Sequence, residues 1–360
     1  MKHNLFLALV LSASAIAISA QQPKVVNTQF NTEPAGSDLS ATVARLQRPA
    51  QPLWLGYEVP ALPRTNFSSC SDFEGASQFE EGCCGEYQLE SPRPGFVARD
   101  GLSASDQKPT PALMYVLLRL DQGAIIKVRP ANAGCRLNAG GIPFTWLTGV
   151  QPDDSVAFLA KLGARPDDSQ GMRVSEGALM TLAMHASPTA TSALASLADP
   201  SNPPRLREKS AFWLGAQRGH EGFQVLQQLV AKEQDPKFRE KLAFDLSIGS
   251  DPAAIDELLK MAHSDASPQV RGQAIFWLAQ KAGKKANASI TAAIENDPDV
   301  QVKKKAVFAL SQLPQDEGVP QLMHVADSNS NPAIRKEAIF WLGQSKDPRA
   351  LEYLEGILKR

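Results

Sequence analysis

The apolar residues of this chain follow two different spacings along the sequence. From about residue 142 onward they recur every three or four positions, as in Val270, Ala274 and Leu278. On a helix of about 3.6 residues per turn this spacing collects them into one stripe, so the sequence predicts amphipathic helices here. Before that point they form short β-type runs at residues 53–59, 114–120 and 124–129, which predict strands.

The last two runs predict a hairpin. Asp121, Gln122 and Gly123 lie between them, and Gly123 tolerates the left-handed conformation that a tight turn needs. Ile126 and Val128 alternate with charged residues in the second run, as in a strand with one buried face. We therefore predict a small β-rich unit over residues 52–141.

The helical part repeats itself every 32 residues. Three registers keep this spacing, and they hold Phe212, Phe244, Phe276, Phe308 and Phe340, then Leu214, Leu246, Leu278, Leu310 and Leu342, then Arg207, Arg239, Arg271, Lys303 and Arg335. Each unit predicts two helices, and neither can bury its apolar stripe alone. Stacked helix pairs can do so, and they form an α-solenoid.

The repeated unit resembles a known family. Residues 334–343 (Ile-Arg-Lys-Glu-Ala-Ile-Phe-Trp-Leu-Gly) followed by residues 347–354 resemble HEAT repeats of the short bacterial type, which also occur in phycobilisome lyases. The resemblance covers five units from about residue 206 to the end of the sequence. Residues 174–182 fit as a sixth unit with Met180 in the Phe register, and residues 151–162 predict one helix of a degenerate first unit.

The resemblance implies a curved, two-layered helical array used for binding, and it implies no single activity. We expect an all-α solenoid of about six or seven HEAT-like helical-pair repeats over residues 142–360, preceded by the small β-rich N-terminal unit.

The repeated Phe residues form the candidate binding surface. At about 100° per residue, Phe276 lies almost opposite the stripe of Val270, Ala274 and Leu278. In HEAT-like arrays this helix lines the concave side, so the resemblance places the Phe residues on or beside that surface. One interpretation is an apolar ladder that receives a peptide or protein segment. The other is that neighbouring rings only seal the seams between units.

Two further registers favour structural roles. Trp213, Trp277 and Trp341 recur in every second unit, with Asp245 and Ala309 between them, and large beside small residues indicate packing. The basic register is interpreted mainly as a structural ladder that pairs with acidic or carbonyl groups at the turns. A row of anion-binding residues is the alternative interpretation.

All four cysteines, Cys70, Cys83, Cys84 and Cys135, fall in the β-rich unit and are disulfide candidates. The adjacent pair is unsuited to bond to itself, so two connectivities remain, each joining Cys70 to one member and Cys135 to the other. Metal binding is the alternative, but the spacing offers no Cys-x2–4-Cys hook of the kind that zinc sites use.

The first residues predict export. Lys2 precedes a stretch of 14 residues, 5–18, that carries no charge, and small residues follow up to Ala20. We interpret residues 1–20 as a signal peptide, since a spanning helix needs about 20 apolar residues. Residues 21–51 are polar, which predicts a flexible leader. The mature protein is expected to be periplasmic or secreted, without membrane insertion.

Charge and motifs narrow the function. The 37 Lys and Arg residues balance 38 Asp and Glu residues, so no global basic field favours nucleic acid. The sequence has no His-Glu-x-x-His, Gly-x-Ser-x-Gly or Walker-type motif. Deoxyhypusine hydroxylase, a HEAT-like enzyme, binds iron through repeated His-Glu pairs, and only His220-Glu221 occurs here.

We therefore predict an exported, non-enzymatic scaffold that binds an unidentified protein or peptide and needs no cofactor or metal. The alternative is a lyase-like or chaperone-like protein that holds a tetrapyrrole or another small molecule in its groove.

Overall fold

The computed structural model describes residues 22–63, 86–90, 95–97, 113–166 and 169–359. The strands of this part of the chain are β1 (Val25–Val26), β2 (Phe30–Pro34), β3 (Leu53–Pro60), β4 (Glu86–Gln88), β5 (Gly95–Val97), β6 (Leu113–Asp121), β7 (Ala124–Asn132), β8 (Arg136–Asn138) and β9 (Phe144–Thr148).

The helices are α1 (Leu39–Gln47), α2 (Pro152–Gly163), α3 (Ser169–Met184), α4 (Thr189–Leu197), α5 (Pro204–Gln217), α6 (Gly219–Lys232), α7 (Pro236–Ile248), α8 (Ala254–Ser264), α9 (Pro268–Ala282), α10 (Asn287–Asn296), α11 (Val300–Ser311), α12 (Gln315–Ser328), α13 (Pro332–Gln344) and α14 (Pro348–Leu358). A short 3-10 helix, Gly283–Ala286, precedes α10. No helix of the described residues is long and apolar enough to cross a membrane.

The larger sheet has the strand order β2-β9-β3-β6-β7 and the smaller one β1-β8-β4-β5. The predicted hairpin is present as β6 and β7, which pair antiparallel from Asp121 and Ala124. Gln122 and Gly123 both have positive φ angles, 46° and 75°. This two-residue turn matches the twist of the strands that it joins.

The prediction of a flexible leader for residues 21–51 is wrong for the part that the structure describes. β2 pairs in parallel with β9, and α1 buries Leu39 and Val43, which lie one helical turn apart. The Asp38 carboxylate caps α1 by accepting a hydrogen bond from the Ala41 N–H at 3.0 Å. The segment looked unstructured because β2 is a polar edge strand and α1 contributes few apolar residues.

The predicted boundary at residue 142 is also misplaced. Residues 144–148 form β9, which lies between β2 and β3 in the sheet, and the first helix of the array starts only at Pro152. Phe144 to Leu147 are buried on both faces of the sheet, so they show no alternation of apolar and polar residues.

The larger sheet has two buried faces. On one face Trp54, Tyr115 and Phe144 form a small aromatic core together with residues of the smaller sheet. On the other face residues such as Leu55 and Val116 join the core that continues through the helices. The sheet is therefore packed between the smaller sheet and the helical array.

The helical array has two layers. We call the helices with the Phe register, together with α3, the A layer, and their partners the B layer. The A layer runs α3, α5, α7, α9, α11, α13, with each helix in contact with the next, and the B layer runs α4, α6, α8, α10, α12, α14. This is the helical solenoid that the 32-residue period predicts, built from six helix pairs within the described residues.

The two ends of the solenoid differ. At the N-terminal end α3 lies directly on β7, and a Cβ at Gly177 would come 2.2 Å from the Val128 carbonyl oxygen. At the other end Ile339, Leu351 and Leu358 are exposed. The residues that share the register of Ile339 in the preceding four repeats are all buried. The sheet thus covers one end of the array, and the last repeat exposes an apolar face.

Candidate functional site

The five Phe residues of the repeat lie on successive A-layer helices, from α5 to α13. Phe212, Phe244, Phe276 and Phe308 are half-buried, and Phe340 is 52% exposed. The rings are therefore not fully covered by neighbouring helices, and each keeps a part of its surface open to solvent.

These rings form one continuous series with the Trp residues that follow them. Phe212 stacks on Phe244 with ring centroids 6.2 Å apart, and Phe276 stacks on Phe308 at 5.6 Å. Trp277 bridges the two pairs, because its ring lies 4.8 Å from Phe244 and 4.7 Å from Phe276. We call the five Phe residues with Trp213, Trp277 and Trp341 the aromatic strip.

The far end of the strip continues in the same way. The Trp341 ring lies 4.7 Å from Phe308 and 5.0 Å from Phe340, and Trp213 lies 5.1 Å from Phe212 at the other end. Trp277 and Trp341 thus pack between repeats, as the alternation of the Trp residues with smaller residues indicates. The rings do line the seams between repeats, but they also form an apolar surface, so a binding role for the five Phe residues stays a prediction.

Asp245 interrupts the Trp register with a buried carboxyl group. Its side chain is enclosed between helices, and its Oδ2 atom has no hydrogen-bond partner within the described residues. Burial raises the pKa of Asp245 well above its ordinary range, and the nearby charge of Glu208 raises it further. The Trp277 Nε1 atom is likewise buried without a partner. The middle of the strip therefore contains polar atoms whose hydrogen bonds are unmet.

The basic register is a structural ladder. The Arg239 guanidinium donates to the Asp265 carboxylate at 2.8 and 2.9 Å, and Arg271 makes the same bidentate contact with Asp297 at 2.7 and 2.9 Å. Arg271 also donates to the Asp265 carbonyl oxygen at 2.9 Å, so each Arg joins two successive turns between repeats. These groups are mostly buried and are already paired, which leaves them unsuited to hold an anion from solution.

The ladder ends where its residue types change. Lys303 donates to the Glu295 carbonyl oxygen at 2.7 Å, and Arg335 donates to the Asn329 and Ser330 carbonyl oxygens at 2.8 and 3.2 Å. Asn329 stands in the register of Asp265 and Asp297, so the turn before α13 offers no carboxylate. In the C-terminal repeats the ladder residues Lys303 and Arg335 therefore contact carbonyl oxygens and no carboxylate.

A second surface feature lies beside the aromatic strip. Residues three, four and seven positions before a Phe project from the same side of the helix as the Phe. Across α5, α7, α9, α11 and α13 these positions hold three acidic residues, Glu208, Glu240 and Glu337, and seven basic ones. We call the basic residues the basic edge, which consists of Arg205, Lys209, Lys237, Lys241, Lys304, Lys305 and Lys336.

The sequence reasoning missed this edge because it considered the charge of the helical region as a whole. The five A-layer helices from α5 onward hold 13 Lys and Arg residues against four Asp and Glu residues. The five B-layer helices from α6 onward hold three against nine. Counting charge by register within the 32-residue period, instead of along the chain, would have found the separation.

The histidines do not assemble a reactive site. His185 is fully buried, and burial together with the charge of Arg218 lowers its pKa to about 4. His220 is exposed, and its Nδ1 atom lies 2.5 Å from the Asp251 carboxylate. No group of three or more His, Cys, Asp or Glu side chains suited to a metal ion occurs among the described residues.

Two cavities lie in the B layer on either side of the short helix α10. The larger, about 630 Å³, is lined by residues of α8 and α10 together with Arg271 and Asp297. Its two charged ladder groups already bind each other. The lining also includes His263, Ser289 and Asn296, so this cavity combines apolar walls with a few polar groups.

Of the four disulfide candidates the structure describes only Cys135. It is buried beside the smaller sheet, and no free cysteine occurs within the described residues. Cys70, Cys83 and Cys84 lie outside these residues, so the predicted pairing stays a prediction.

Comparison with known proteins agrees with this architecture. A family model described as HEAT repeats matches residues 287–360. No curated protein matches the sequence. Among solved structures, human deoxyhypusine hydroxylase has 18% sequence identity and a TM-score of 0.31, covering 57% of this chain and 90% of that one.

Two other solved structures are similar to the same degree. The complex of CpcE and CpcF of phycocyanin lyase from a Nostoc species has 19% identity and a TM-score of 0.30, covering 54% of this chain and 77% of that one. Kap121p bound to Pho4p has 16% identity and a TM-score of 0.33, covering 52% of this chain and 23% of that one. Such low scores support no inference about activity. The family model thus identifies HEAT repeats at residues 287–360, and the helix pairs before them stack with the same 32-residue period.

Proposed function

We propose that this HEAT-repeat protein is an exported, non-enzymatic scaffold that binds a protein or peptide partner on its aromatic strip. The observation that carries the proposal is the continuous series of half-exposed rings across five successive helices. Single exposed apolar residues scattered over a surface are common, but a contiguous apolar surface of this kind usually marks an interaction site. Support for a scaffold rather than an enzyme is that the strip carries aromatic rings and no set of nucleophile, base and orienting group.

The strip suits a partner that approaches as an extended segment. Each Phe ring of the strip belongs to a different helix, so a segment that crosses the helix axes contacts a ring at each repeat. Aromatic side chains also lose little conformational entropy on binding, which is why they often dominate the energy of an interface.

The proposal is tested by capture on immobilised protein. Phe340→Ser removes the most exposed ring of the strip, and Phe276→Ala removes a central one without adding a charge to a half-buried position. The immobilised wild-type protein is incubated with an extract of the organism from which it comes. We expect both variants to fail to capture a partner protein that the wild type captures. Leu351→Ser is the matched control, because Leu351 is 62% exposed and lies on α14 in the B layer.

Retention of the partner by both Phe variants, or its loss with Leu351→Ser, would contradict the assignment to the strip. Circular dichroism at 222 nm on each variant separates loss of binding from loss of fold. Export is tested separately, by expressing the full chain in a bacterial host and sequencing the N-terminus of the protein recovered outside the cytoplasm. A mature N-terminus near Gln21 supports export, and an uncleaved chain retained with the cytoplasm contradicts it.

A further inference from the structure

The aromatic strip has a different chemical character on its two sides. On one side lies the basic edge, three to seven residues before each Phe of the strip except Phe276, together with Glu208, Glu240 and Glu337. On the other side, four residues after each Phe, every residue is neutral: Ala216, Ile248, Gln280, Gln312 and Gln344. A ligand that covers the rings therefore meets positive charge along one flank only.

Much of the basic edge is free to bind a ligand. Arg205 and Lys209 both approach Glu176, at 3.1 and 3.4 Å, and Lys304 lies 3.9 Å from Glu337. Lys237, Lys241 and Lys336 are exposed and form no ion pair within the described residues. The ladder residues, by contrast, are paired and buried, so the free positive charge of the A layer is concentrated beside the rings.

The opposite sign of the B layer sharpens this preference. Because its helices carry mainly acidic residues, the near-zero net charge of the chain conceals two faces of opposite potential. Complementary potentials steer a charged partner toward one face and away from the other. An acidic partner is thus favoured at the A layer and disfavoured at the B layer.

The geometry of the array also restricts the spacing of apolar side chains in the partner. Packed helices lie about 8–10 Å apart. A segment in polyproline II conformation rises about 3.1 Å per residue and advances about 9.3 Å in three residues. One apolar side chain in every three residues therefore advances by one A-layer helix, with the residues between them available to reach the basic edge. Within the stacked pairs the ring centroids are closer, at 6.2 and 5.6 Å, so one such side chain can cover both rings of a pair.

We propose that the aromatic strip and the basic edge together bind an acidic peptide segment in extended conformation, with an apolar side chain at about every third residue. This proposal rests on the proposed function, because it assigns a chemical class to the partner of the same surface. The carboxylates of the segment pair with Lys237, Lys241 and Lys336, while its apolar side chains cover the rings.

The test measures the fluorescence anisotropy of labelled synthetic peptides with the full chain. The principal probe contains five Phe-Asp-Glu triplets, and the comparison peptides contain five Phe-Ser-Gln, Phe-Lys-Arg or Gly-Asp-Glu triplets. We expect the Phe-Asp-Glu peptide to bind about tenfold or more tightly than each of the others, and added salt to weaken it.

Charge-reversal variants connect this affinity to the surface. Lys237→Glu, Lys241→Glu and Lys336→Glu together should weaken the Phe-Asp-Glu peptide about tenfold or more and leave the Phe-Ser-Gln peptide unchanged. Lys232→Glu is the matched control, since Lys232 is an exposed lysine on α6 in the B layer. It should change neither affinity.

Each of the following outcomes would overturn the proposal. Equal binding of the acidic and neutral Phe peptides would refute the charge preference and leave the proposed function standing. Failure of every Phe peptide to bind, or peptide binding that is unaffected by Phe340→Ser, would refute this proposal, and the capture experiment decides the proposed function separately. Equal competition by single-stranded DNA or by phosphatidylglycerol vesicles would indicate a general polyanion site. Self-association abolished by the charge reversals would indicate that the acidic B layer of a second copy is the occupant.

Discussion

The contact between Arg271 and Asp297 is a buried ion pair whose loss should destabilise the solenoid. Both side chains are nine-tenths buried, and Arg271 also donates to the carbonyl oxygen of Asp265. In Arg271→Met the Asp297 carboxylate keeps only the Asp299 N–H, at 2.9 Å, as a partner. Breaking a buried ion pair on one side costs about 3–5 kcal/mol, because the remaining charge stays buried and uncompensated.

Arg335→Met is the matched control at the same register position. Arg335 contacts only two carbonyl oxygens and no carboxylate, so its loss should cost about 1–2 kcal/mol. The double variant Arg271→Met with Asp297→Leu removes both charges, and it should recover most of the stability that the single variant loses. Replacing a whole buried pair by apolar residues is often close to neutral.

Urea unfolding monitored by circular dichroism at 222 nm gives the free energies. Repeat arrays do not always unfold in one step, so amide hydrogen exchange should be measured as well. We expect the largest loss of protection in α9 and α10. The reasoning is refuted if Arg271→Met costs no more than Arg335→Met, or if the double variant is as unstable as the single one.

The pH dependence of the same contact follows from its charges. Burial alone raises the pKa of Asp297, but the hydrogen bonds and charge of Arg271 outweigh it, so the pKa lies below its ordinary value. The stabilisation from this carboxylate is therefore present above the pKa of the unfolded chain and is lost as the pH falls through the folded value. In Arg271→Met the burial of Asp297 is no longer outweighed by Arg271, so protonation relieves the unpaired charge, and the stability difference from wild type should shrink as the pH falls; urea unfolding at several pH values would reveal this.

Three further changes test the packing of the A layer. Burial raises the pKa of Asp245, so the stability that its neutral form provides is complete below the pKa of the unfolded chain and is lost as the pH rises through the pKa of the folded protein. The variant Asp245→Asn should therefore be more stable than wild type by about 1–3 kcal/mol at pH 8 but not at pH 4. If the urea midpoints of the two proteins changed in parallel with pH, this prediction would be contradicted. The variant Gly215→Ala should destabilise the protein, because its Cβ would lie 2.2 Å from the Asp245 carbonyl oxygen. Gly343→Ala lies at the same register position with no neighbour within 4 Å, so it should raise the free energy of unfolding by about 1 kcal/mol, measured by thermal or urea unfolding. Lys303→Arg with Asn329→Asp should extend the ladder by one bidentate pair and raise hydrogen-exchange protection of α11 and α12, and unchanged protection would show that the ladder contributes little there.

The helical array is predictable from the sequence because the same repeat pattern indicates both the helices and the way in which they stack. A 32-residue period with apolar positions at helical spacing determines both the helix pairs and their stacking. The ladder is also predictable, since a basic residue that recurs beside a turn with an acidic residue has a partner at every repeat. Arg239 and Arg271 follow this pattern, and Lys303 lacks its acid because Asn329 stands in the register of Asp265 and Asp297.

The N-terminal part was harder to predict because its signals are short or hidden. α1 contributes only Leu39 and Val43 as buried apolar residues, and β2 is a polar edge strand, so composition alone indicated disorder. β9 is buried on both faces and shows no period of two. Asp245 could be placed in a register, but the charge of Glu208 on the neighbouring helix becomes relevant only when the two helices are packed together.

The aromatic strip exists only where neighbouring repeats are stacked, because each of its Phe pairs and Trp bridges joins two helices. Fraying of the last repeat, which the sheet at the opposite end does not restrain, removes Phe340 and Trp341 from the series and leaves the other rings in place. Affinity for a partner should then decline in steps with the number of folded repeats. The affinity for the partner, measured on C-terminal truncations or in mild denaturant, would then report the number of ordered repeats. It would decrease gradually and not in a single step.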